Sequence, residues 1–152
     1  MAAAVALGAA LVAVSGPCAL ALTERIVTDR HTGLAIDGFD PVAFFADGKP
    51  EMGRPDFEYR YKDVIWRFRN EGNRAAFARD PEVYMPRFGG YDPLAVARGV
   101  AVPGNPLFWC LREERLYLFI DAEARASFLA RPGATIAAAE AKWPDVLREL
   151  LP

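Results

Sequence analysis

Thiols and imidazoles are nearly missing from this chain. Its 152 residues include two cysteines, Cys18 and Cys110, and one histidine, His31. A zinc or soft-metal centre made of clustered Cys and His side chains has no ligand set to draw on. A Ser-His-acid arrangement would need the one histidine, which sits in an N-terminal segment before "TGLAI" and reads as a surface residue. No nucleophile-elbow motif occurs, and "FGGYD" is too short, and lacks the following Lys, to cradle a phosphate. Charge of either sign is absent from Met1 to Thr23, and beyond it acids and bases are interspersed at a formal net charge of −2. Neither nucleic acid nor an anionic membrane surface is the partner such a balance suggests.

The uncharged start is mostly Ala, Val and Leu and ends in "SGPCALALTE". Ala19-Leu20-Ala21 fits a small-x-small cleavage site, so residues 1–21 are expected to be a signal peptide and Leu22 the first residue of an exported, periplasmic chain. An uncleaved membrane anchor is the alternative, because the run is just long enough to span. A lipid-modified Cys18 is disfavoured by Ser15, where a bulky aliphatic residue is expected. Cleavage would leave Cys110 without an intramolecular partner, so the core rather than a disulfide must hold the fold.

What the chain does contain is a repeat. "GFDPVA" at 38–43 returns as "GYDPLA" at 90–95. At an offset of 51, residues 53–81 and 104–132 align without gaps and share eight identities in 29 positions: Gly53, Pro55, Phe57, Phe68, Arg74, Ala75, Phe77 and Pro81 fall on Gly104, Pro106, Phe108, Phe119, Arg125, Ala126, Phe128 and Pro132. Ordinary composition gives roughly two by chance. Each copy alternates like a β-hairpin, turning at Lys62-Asp63 and Glu113-Glu114, which are weaker turn signals than Asn-Gly. A helix follows in each, capped by Asn70 or Asp121 and stopped by Pro81 or Pro132. From Thr135 to Leu150 a further helix is expected, with Pro144 kinking or dividing it. The predicted fold is α+β: an antiparallel sheet of two repeated hairpin–helix units with the helices packed on it, plus a C-terminal helix. Residues 22–152 form one domain, duplicated over about 38–81 and 90–132, with the last helix at 135–150. One hairpin with one helix buries too little apolar surface alone, and two can share a core.

The repeated Asp-Pro admits two readings. Asp40 and Asp92 can be N-caps of short helices that open with Pro. Alternatively they face one another across a pseudo-twofold, each beside an aromatic, and hold a small cation or polar ligand. Tyr91 belongs to the aromatic-rich stretch "EVYMPRFGGYD" that would line such a pocket. Arg74 and Arg125, at equivalent helical positions, either pair within their own half or reach an Asp-Pro turn and orient its carboxylate. Cys110, beside Trp109 in a predicted strand, reads as a small buried hydrophobe.

Nearly all of the chain after residue 21 resembles the YHS-domain family as found in exported bacterial proteins. The likeness is carried by Asp-Pro-Val-Ala-Phe-Phe at 40–45, Trp-Arg-Phe at 66–68, Asn-Arg-x-x-Phe at 73–77, Asp-Pro-x-x-Tyr at 80–84, Pro-x-Phe-Gly-Gly-Tyr at 86–91, Leu116-Tyr117-Leu118 and Trp143-Pro144. Related short domains of this name are associated with heavy metals such as copper through cysteines. The resemblance would place such cysteines near Ala43, Arg69 and Asn73, where this chain has none, and many exported relatives carry Cys where Asp92 stands. The expected role is therefore non-enzymatic: a periplasmic small-ligand or metal-ion binding or accessory domain, with no cofactor evident. A protein–protein interaction module of the cell envelope is the main alternative. A hydrolase using Asp40 and Asp92 as paired carboxylates is the third, and only their separation bears on it.

Overall fold

The computed structural model describes residues 25–150, so the leader expected at 1–21, with its cleavage site and Cys18, lies outside the described residues. Within them the chain is α+β. The first unit contains α1 (Ala43–Ala46), β1 (Arg54–Tyr61), β2 (Val64–Phe68) and α2 (Glu71–Arg79), followed by the short α3 (Pro81–Tyr84). The second contains α4 (Pro93–Ala97), β3 (Asn105–Arg112), β4 (Arg115–Phe119) and α5 (Ala122–Ala130), followed by the long α6 (Pro132–Leu150). β1 pairs with β2 and β3 with β4, giving two two-stranded antiparallel sheets, one per unit.

The duplication extends to backbone detail. Both ladders slip at the same place, between Arg54 and Glu58 and between Asn105 and Trp109. Before each Asp-Pro the chain runs through three left-handed residues, Ile36-Asp37-Gly38 and Phe88-Gly89-Gly90. Gly53 N donates to Gly38 O and Gly104 N to Gly90 O, both at 2.9 Å. At each of these donors only glycine fits: a Cβ would lie 2.4 Å from Arg67 Cβ in one unit and 2.7 Å from Leu118 Cβ in the other. Both hairpins turn through two left-handed non-glycine residues, Lys62-Asp63 (φ 50° and 61°) and Glu113-Glu114 (φ 50° and 56°), the signature of a type I′ turn.

Asn70 and Asp121 cap α2 and α5, accepting from Asn73 N and Ala124 N at 2.8 Å. Pro81 and Pro132 end these helices and also open the next ones, since Pro lacks only an N–H that the first helical turn leaves unpaired. The C-terminal helix thus begins at Pro132 rather than Thr135, and Pro144 lies inside it without dividing it.

The units stack head to tail. In β2 alternate residues Trp66 and Phe68 enter the first core, while the opposite face carries Arg67 paired with Glu58 at 2.8 Å. In β4 both faces are buried: Tyr117 and Phe119 join the second core, and Leu116 and Leu118 join the first. The back of the second sheet therefore packs on the first unit, where Trp109 meets Phe44 edge to face. The equivalent back of the first sheet, with its ion pair, has no such role. Contact through non-equivalent faces is heterologous, not twofold. An open stack needs a cap, and α6 supplies it by packing along α4 and placing Ala139 and Val146 in the second core.

Candidate functional site

Among the described residues the buried charged side chains are Asp40 and Asp92, 0% and 1% exposed. Burying a carboxylate demands hydrogen-bond donors, and the fold brings them from two directions. The Pro that follows each Asp fixes the turn so that the next two amides point back: Val42 N (2.8 Å) and Ala43 N (3.3 Å) donate to Asp40 Oδ1, and Leu94 N (2.8 Å) and Ala95 N (3.2 Å) to Asp92 Oδ1. The residue just past each second strand donates to Oδ2: Arg69 N at 2.8 Å, Ile120 N at 2.9 Å. Each carboxylate thereby ties its short helix to its own hairpin.

The equivalence breaks in two places. Asp92 is the N-cap of α4, which opens with Pro93, whereas α1 begins at Ala43 with Val42 as its N-cap, so Asp40 holds a turn ahead of the helix and is not the helix cap expected of it. In the first unit Asn73 Nδ2 donates a fourth hydrogen bond, to Asp40 Oδ2, at 2.7 Å. Ala124 occupies that helical position in the second unit, so Asp92 Oδ2 keeps one N–H donor where Asp40 Oδ2 has two. A cleft of about 280 Å³ opens there, bounded by Asp92, Leu94, Val102, Ile120 and Ala124, with Arg98, Asp121, Glu123 and Ser127 completing its polar side. Over the corresponding part of the first unit Arg69 bridges to Asp47 at 2.9 Å. The second unit has Ile120 and Arg98 at those places, which form no pair.

The other expected site residues lie as follows. Arg74 pairs with Glu71 at 2.8 Å, and Arg125 Nε donates to the Trp109 carbonyl at 2.7 Å. Both contacts are within the residue's own unit. Tyr91 packs against Trp143 with ring centroids 6.1 Å apart and planes tilted at 49°, and burial raises its hydroxyl above the ordinary tyrosine value, against a smaller opposing pull from Arg25. It is not part of the cleft lining. Asp40 and Asp92 share no donor, and the cleft is lined by the second unit. Cys110 is buried, and burial pushes its thiol up, with Arg125 and Arg112 opposing weakly. A protonated, enclosed thiol is a poor nucleophile and a poor soft-metal ligand. His31 is exposed. Among the described residues no group of three or more His, Cys, Asp or Glu side chains is placed to hold a metal ion, and no helix is long and apolar enough to cross a membrane.

Sequence reasoning singled out Asp92 but missed Asn73 and Ala124. The signal was present in the repeat alignment, as an amide against a methyl beside a matching Arg. No family model matches the chain, and no curated protein or solved structure is similar to it.

Proposed function

We propose that this chain is an exported, non-enzymatic ligand-binding domain of the YHS type, with the Asp92 cleft as its site. The observation that carries this reading is the buried carboxylate of Asp92 on the wall of an open cleft, with one acceptor position fewer in use than its repeat counterpart. Amide donors from two chain segments hold the carboxylate rigid, and its free acceptor position is preorganised for a small polar group. At about 280 Å³ the space suits a ligand of few heavy atoms. The hydrolase reading is less well supported, since both carboxylates are taken up by backbone amides in separate units. Thiolate metal chemistry is disfavoured by the burial of Cys110.

Amide NMR spectra of the chain starting at Leu22, recorded against a small-fragment set, test the site. Saturable shifts gathered on Leu94, Ala95, Ile120 and Ala124 are expected. Shifts gathered instead on Val42 and Arg69, or none, would refute it. Export is tested separately by intact mass of the protein from its own envelope: a chain beginning at Leu22 is expected, and a full-length chain in the membrane fraction would overturn the processing.

A further inference from the structure

We infer that the Asp92 cleft takes a small organic cation bearing N–H donors, a primary ammonium on a short apolar stem. The inference rests on the reading of the cleft as the binding site and specifies its ligand.

The first unit shows where the missing donor belongs. Asp40 and Asp92 are held by equivalent amides, and Asn70 and Asp121 cap the following helices with the same 2.8 Å bond. Asn73 and Ala124 therefore stand in the same relation to their carboxylates. The Asn73 amide nitrogen, 2.7 Å from Asp40 Oδ2, marks the place of a ligand nitrogen against Asp92 Oδ2. An ionised carboxylate has about four acceptor positions, and in the second unit three are filled by backbone N–H groups. A ligand group that could only accept would meet a lone pair there. A donor is what the position selects.

The changes around the cleft select for charge as well. Where the first unit has Asn70, Gly72 and Ala76, the second has Asp121, Glu123 and Ser127, all three on the cleft. Each change adds an anion or a hydroxyl. Three carboxylates and one guanidinium, that of Arg98, then line the cleft; Asp121, Glu123 and Arg98 are all exposed, and Asp92 is the buried member. A cationic donor is favoured over a neutral amide in such a field, and a charge-assisted bond to Asp92 is the stronger kind. The remaining wall is apolar, formed by Leu94, Val102 and Ile120. In the first unit the residues at two of these positions are Glu51 and Arg69, which lie 4.0 Å apart and, with Asp47, form an ion cluster. Replacing that cluster by Val102 and Ile120 gives an aliphatic stem a surface to cover.

Titrating the chain from Leu22 with n-butylammonium tests the proposal, with tetramethylammonium and acetamide as comparisons and amide NMR as readout. Butylammonium should saturate shifts at Ile120, Leu94 and Ala124. Tetramethylammonium, a cation without N–H donors, and acetamide, a donor without charge, should each bind at least about tenfold more weakly, as a bond to an ionised acceptor implies. In Ala124→Asn the protein supplies its own donor: butylammonium binding should fall at least about tenfold while the melting temperature stays level or rises. Equal binding of tetramethylammonium or acetamide would overturn the ligand class and leave the site standing, as would another fragment occupying the cleft while butylammonium does not. Unchanged butylammonium binding in a folded Ala124→Asn protein would overturn the proposal too, and a cleft that binds nothing overturns both readings.

Discussion

Phe44 of the first unit and Trp109 of the second meet edge to face, with ring centroids 5.1 Å apart and planes at 65°. Phe44 is fully buried, and Glu58 holds the position equivalent to Trp109 in the first unit. This contact has no counterpart in the other direction: the back of the second sheet is aromatic and aliphatic, and the back of the first carries Glu58 and Arg67. It joins the two units.

Phe44→Ala should cost about 3–5 kcal/mol, the usual range for a buried Phe. Urea denaturation of both single variants and the Phe44→Ala/Trp109→Ala double variant should give a coupling of about 0.5–1.5 kcal/mol. Strictly additive costs would mean the two rings do not stabilise one another.

Asp40→Ala leaves four donors without their acceptor, three of them backbone amides, and Asp92→Ala leaves three. Asp92 is the N-cap of α4, and losing a cap costs about 0.5–2 kcal/mol; Asp40 precedes the N-cap Val42, and its loss leaves buried donors unmet. Orphaned donors next to a cleft are more readily rehydrated than donors in a filled core, so Asp40→Ala should be the more destabilising. Because the two share no donor, the double substitution should be additive within about 0.5 kcal/mol. Chemical denaturation reads both, and an Asp92→Ala cost above that of Asp40→Ala would contradict the filled-versus-open distinction.

Glu113 and Glu114 hold left-handed conformations that cost an ordinary residue roughly 1–2 kcal/mol each, and they place like charges side by side. Replacing the pair with Asn-Gly should raise stability by about 1 kcal/mol or more. The urea midpoint should rise with no change in the slope of the transition. A fall would mean the turn is not the type I′ turn described.

Burial pushes the Glu82 carboxyl up, but the Tyr61 hydroxyl at 2.6 Å and the Lys62 ammonium at 2.9 Å outweigh it, and the group is held below its ordinary value. A carboxyl depressed in the folded state stabilises above its unfolded pKa and ceases to do so as pH falls through the folded one. Glu82→Gln should therefore cost up to about 1 kcal/mol at neutral pH, the scale of a partly exposed pair. The difference from the unsubstituted protein should shrink as pH falls and vanish once the folded carboxyl is protonated, where both carry a neutral side chain. Melting temperatures across pH 2–7 check this, and a gap that persists in acid would show that the cost is packing rather than charge.

The repeat, the hairpins, both helix caps and the role of each Asp-Pro as a turn device were legible in the sequence, because all depend on neighbours within a few residues. Pro after Asp restricts the local backbone wherever the segment ends up. Alternation in "VIWRF" and "RLYLF" puts Trp66 and Phe68, or Tyr117 and Phe119, on one side of any strand. What no local pattern contained was how the copies meet. Leu116, Leu118 and Trp109 mark the back of the second sheet for burial without saying against what, and only their packing into the first core beside Phe44 decides it. The cleft depends on the tertiary structure for the same reason. Asn73 and Asp40 are 33 positions apart, so the absence of an amide at Ala124 acquires meaning only once the fold has set that methyl beside the carboxylate of Asp92.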